Sequence, residues 1–67
     1  MDIPIELPDL LSKLKIVSYI DYSIECQGKT IAVTLVTRQG AIRYAIIDPI
    51  TREKQSELDY LLTQYRA

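Results

Sequence analysis

Residues 26–41 read CQGKTIAVTLVTRQGA, a run of eight mostly β-branched residues, TIAVTLVT, held between two Gln-Gly pairs. β-Branched side chains suit a pleated, half-buried surface, and glycine flanked by polar residues marks a reversal of the chain. The two pairs, Gln27-Gly28 and Gln39-Gly40, stand twelve residues apart, the spacing of successive turns in a meander. The run is therefore the middle strand of three.

The flanking segments complete the sheet. From Ile16 to Glu25 the residues alternate, with Ile16, Ser18, Ile20, Tyr22 and Ile24 on one face and Val17, Tyr19, Asp21, Ser23 and Glu25 on the other. AIRYAIID, residues 41–48, forms the third strand and ends at Pro49, which cannot donate to a ladder. Taking each Gln-Gly as a two-residue loop sets Ile24 against Ile31, Tyr22 against Val33, Leu35 against Tyr44 and Val33 against Ile46. Both registers put the same residues of the middle strand on one apolar face, and a slip of one residue would break that agreement.

Helices are expected at both ends. MDIPIELP has prolines at 4 and 8, which forbid a helix interior and favour an extended lead-in; Asp9 then caps a short helix over residues 10–15. Near the carboxyl end Leu58, Leu61, Leu62 and Tyr65 recur at i, i+3, i+4 and i+7, an apolar stripe that should lie on the sheet. Its helix starts near Ser56, or earlier with Asp48 as cap and Pro49 in the first turn. The expected fold is a single α+β domain over residues 1–67: a three-stranded antiparallel meander, a short amino-terminal helix and a carboxy-terminal amphipathic helix, in the order αβββα.

The letters Gly28-Lys29-Thr30 also close a phosphate-binding loop, but that loop needs a glycine five positions earlier and a helix directly after. Ser23 occupies the first position and a strand follows, so the segment reads as a hairpin turn. Cys26 is the only cysteine and there is no histidine, which leaves no intramolecular disulfide, no Cys/His metal set and no histidine base for a thiol nucleophile. Asp21 and Glu25 share a strand face about 13 Å apart along the backbone, too far for one ion. No catalytic set, metal site or cofactor is expected, and the chain reads as a non-enzyme.

A chain of 67 residues has a thin core and here lacks the staples common in small scaffolds, which favours association with itself or a partner. No apolar run reaches the length of a membrane span, the start MDIP lacks the pattern of a secretory signal, and a cytoplasmic setting is expected. Net charge is −1, with two lysines and five acids in residues 1–28, but Lys29, Arg38 and Arg43 without an acid in residues 29–47.

On this register the outer sheet face holds Val17, Tyr19, Ala32, Val36, Ala41, Ala45 and Ile47 beside its polar residues, more apolar than a face left to water. Either the amino-terminal helix folds over it or another protein covers it. The candidate partner interface comprises Val17, Tyr19, Val36, Arg38, Arg43, Ala45 and Ile47, with Tyr60 a further exposed residue on the last helix. The expected function is a small protein-interaction module that self-associates, as a dimer, and binds and modulates a larger protein. The alternative is a dimeric nucleic-acid-binding regulator using the basic strip of Lys29, Arg38 and Arg43.

Overall fold

The computed structural model describes residues 2–67 and has the α+β class expected, with one strand more than the sequence suggested. The order is β1 (Ile3–Ile5), α1 (Leu7–Ile16), β2 (Asp21–Gln27), β3 (Thr30–Thr37), β4 (Gly40–Ile46) and α2 (Arg52–Tyr65). The sheet is mixed, in the order β1-β4-β3-β2: the meander is antiparallel, and β1 adds to it parallel to β4, with Ile3 opposite Tyr44 and Ile5 opposite Ile46. The antiparallel three-stranded sheet of the sequence reading is thus corrected to four strands. Pro4 fits because β1 is an edge strand: Ile5 turns its carbonyl to Ile47 N–H (3.0 Å), so the alternate residue faces outward, where no donor is needed.

The extended lead-in is this strand, and the first helix starts three residues before the expected Leu10. Pro8 lies in its first turn, where a missing N–H costs nothing. Asp9 is not the cap. Glu6 holds the N-cap position without a side-chain bond, and the Leu7 N–H donates instead to Asp48 Oδ2 at 2.9 Å, a carboxylate from the end of β4. α2 is capped by Thr51, whose hydroxyl accepts from Lys54 N–H at 3.2 Å, rather than by Ser56 or Asp48.

Strand faces follow the expected parity, while the register is offset by two residues in both hairpins. Gln27 pairs with Thr30, Ile24 with Val33 and Tyr22 with Leu35; Thr37 pairs with Gly40, Leu35 with Ile42 and Val33 with Tyr44. The loops are Gly28-Lys29 and Arg38-Gln39. Gly28 has φ +68°, and among the described residues no non-glycine residue has positive φ, which matches a type II′ turn with glycine first. A Cβ at Gly28 would meet nothing within 4 Å, so Gly28→Ala has a purely conformational cost of roughly 1–2 kcal/mol. Thermal melts should show Gly28→Asn recovering part of that loss, since asparagine tolerates this region better than alanine.

Both helices pack on one face. Leu10 and Leu14 of α1 and Leu58 and Leu62 of α2 close over Ile31, Val33, Leu35, Tyr44 and Ile46 in a single cluster. Leu61 is half-buried, while Tyr65, expected within the stripe, is exposed. The amino-terminal helix therefore does not cover the outer sheet face.

Candidate interaction surface

The face opposite the helices is built from Asp21, Ser23 and Glu25 of β2, Ala32, Thr34 and Val36 of β3, and Ala41, Arg43 and Ala45 of β4, with Pro4 on β1. Arg43 organises it. Its Nε lies 3.0 Å from Asp2 Oδ1, and its Nη2 donates to Glu25 Oε2 on β2, two strands away. Donation to the Glu25 carboxylate, then to that of Asp2, pushes the guanidinium pKa up, so the charge is held firmly. Because Arg43 pairs with Thr34 and Glu25 with Ala32, the bridge crosses β3 diagonally beside Ala32. Only a small residue leaves room for it, and Ala32 is 1% exposed although no helix covers this side.

The expected interface residues divide. Val36, Arg43 and Ala45 do share the open face, all half-buried, and Ile47 continues past the end of β4, 55% exposed. Arg38 is exposed in the β3–β4 loop. Tyr60 is exposed on α2, on the helix side of the sheet. Val17 and Tyr19 are corrected outright: α1 continues to Ile16, β2 begins only at Asp21, and neither residue is in a strand. Val17 packs half-buried against the core. Tyr19 is fully buried, its hydroxyl donating to Leu62 O at 2.6 Å and its ring edge-on to Tyr22 with centroids 6.4 Å apart. In its place Ile20, assigned to the core by alternation, is 49% exposed.

The basic strip is dispersed as well. Lys29 lies in the β2–β3 loop and Arg38 in the β3–β4 loop, beyond opposite ends of an eight-residue strand, roughly 30 Å apart at the rise of a β-strand. Arg43, between them, is neutralised by two carboxylates.

Comparison with known proteins found no matching family model, no similar curated protein and no similar solved structure. The surface must be read from its own chemistry.

The two edges of the sheet differ in length and in protection. The β1 edge is three residues long and carries Pro4, both features that blunt an edge against further pairing. The β2 edge is seven residues long, has no proline, and among the described residues pairs with no strand on its outer side. α2 lies along β2 in the opposite direction: Gln55 Nε2 is 3.7 Å from Cys26 Sγ, while Tyr22 Oη donates to Asp59 Oδ1 at 3.0 Å and lies 2.7 Å from Thr63 Oγ1. An open groove of about 430 Å³ runs between them, lined by Ile24, Arg52, Gln55, Ser56 and Asp59.

Proposed function

We propose that this protein is a small non-enzymatic interaction module that associates with itself and binds and modulates a larger protein. One observation supports the reading above the others: both helices lie on the same side of the sheet, so among the described residues no layer lies over the side bearing Val36, Ala41, Ala45 and Ile47. Small and branched residues there permit close approach by another backbone, and the Asp2–Arg43–Glu25 bridge gives a fixed polar centre around which a partner can be oriented. The same bridge lowers the positive charge that phosphates would need, which weighs against nucleic acid as the partner.

A reducing, cytoplasmic setting fits the single exposed thiol of Cys26, and among the described residues no helix is long and apolar enough to cross a membrane.

The test is affinity capture from source-cell lysate with wild type and Ala45→Glu, each with and without nuclease. The expected result is a protein that co-purifies regardless of nuclease and is lost with Ala45→Glu, while circular dichroism of the variant stays that of wild type. Recovery of nucleic acid alone, with a steep salt dependence, would reverse the choice of partner.

A further inference from the structure

We propose that two copies of this chain join edge to edge through β2, antiparallel about a two-fold axis at Ile24, to make one continuous eight-stranded sheet. The inference deepens the self-association in the reading above, and it uses the β2 edge rather than the open face. An unpaired strand edge is a template for another strand, and of the two edges only β2 lacks protection.

Charge selects the register. Side chains on one face of a continuous sheet pair only with side chains on the same face, so a two-fold axis in the strand must pass through a residue. Centred on Ile24, the midpoint of Asp21–Gln27, all seven residues pair: Ser23 meets Glu25, Tyr22 meets Cys26, and Asp21 meets Gln27, with no like charges opposed. Centring on Ser23 sets Asp21 against Glu25, and centring on Glu25 sets that carboxylate against itself. Centring on Tyr22 leaves three residues of the strand paired.

The helix beside the edge carries the same symmetry. A two-fold axis perpendicular to the sheet keeps both copies' helices on one side and brings the two α2 helices together, antiparallel, across the grooves that flank β2. Reversal of the groove-lining row then sets Arg52 against Asp59 and Gln55 against Ser56 of the second copy, a cation facing an anion twice over. Since Gln55 stands over Cys26 and Asp59 over Tyr22, the level between them along α2 is that of Ile24. That level falls at Glu57, while the Arg52–Asp59 pairing centres between Gln55 and Ser56, roughly 2 Å away at the rise of a helix, a gap that the length of an arginine side chain spans, so strand and helix place the axis close together.

Light scattering at roughly 100 μM should give a dimer for the wild-type chain. Arg52→Asp, at an exposed position, should raise its dissociation constant at least about tenfold by opposing two anions, and the swap Arg52→Asp with Asp59→Arg should restore it. In a Cys26→Ser background, Ile24→Cys should form an intermolecular disulfide on mild oxidation, because directly opposed residues stand about 4.5–5.5 Å apart at Cα. Gln27→Cys should not, since its own counterpart is about 20 Å away. A monomer at this concentration, cross-linking through Gln27→Cys in preference to Ile24→Cys, or a dimer abolished by Ala45→Glu and untouched by Arg52→Asp would each overturn the proposal. Capture of the larger partner by a chain found monomeric would leave the open-face reading standing while this one fell.

Discussion

Leu35→Ala is expected to remove most of the stability of this domain. Leu35 is fully buried in β3, between Tyr22 on one side and Ile42 on the other, in the one core cluster that the leucines of both helices join. Truncating such a leucine costs about 2–5 kcal/mol through lost transfer energy and the cavity left behind. A 67-residue chain has roughly 3–10 kcal/mol in total at the usual stability per residue, so the loss is a large share. Its neighbour supplies the control. Val36 sits one residue on, half-buried on the face without a helix, and Val36→Ala should cost about 1 kcal/mol or less. In urea titrations the midpoint for Leu35→Ala should fall by half or more and that for Val36→Ala only slightly. Equal falls would mean that the open face is packed as tightly as the core, which would remove the basis for a docking surface there.

The contrast between these neighbours was legible in TIAVTLVT because side chains of a strand alternate with period two. That period fixes which face a residue takes and is blind to shifts of two, which is why both hairpins have the expected faces and an unexpected offset. The offset is a property of the turns. In one, glycine is the first loop residue; in the other, Gly40 lies just beyond the loop, paired with Thr37, although both are written Gln-Gly. β1 was hidden for a different reason. Three residues form no pattern, and what makes Ile3–Ile5 a strand is β4, some forty positions away, as what starts α1 is the carboxylate of Asp48.

Of the candidate surface, the sequence revealed the β3 and β4 residues, where alternation is uninterrupted, and misplaced those before Asp21. Apolar residues at 16, 20, 22 and 24 happen to continue the strand's alternation back through a helix end and a connection. The partners of Arg43 were half legible: Glu25 shares its face by parity, whereas Asp2 depends on β1. The exposed edge of β2 follows from strand order alone, and strand order is decided by where the fourth strand adds.

Tyr19→Phe is expected to cost about 1–3 kcal/mol at neutral pH, because the hydroxyl that it removes is the donor to Leu62 O, in the buried middle of the α2 contact. The ring can stay in place against Tyr22, so the effect isolates the hydrogen bond. The pH dependence gives a sharper signature. Burial raises the Tyr19 pKa above its ordinary value of 10.0, Tyr22 adds to the rise and Arg66 opposes it. A tyrosine whose folded pKa exceeds its unfolded one contributes stability in full below the unfolded value and loses it as pH climbs through the folded value, since the unfolded chain then releases its proton first. Phenylalanine has no proton to lose. The stability gap between wild type and Tyr19→Phe should therefore be constant up to about pH 10 and narrow above it, with the remaining tyrosines cancelling between the two chains. Urea midpoints measured from neutral to about pH 11 would read this directly. A gap that stayed constant across the range would mean that Tyr19 ionises as freely in the folded chain as in the unfolded one, and so faces solvent as an outer-face residue would.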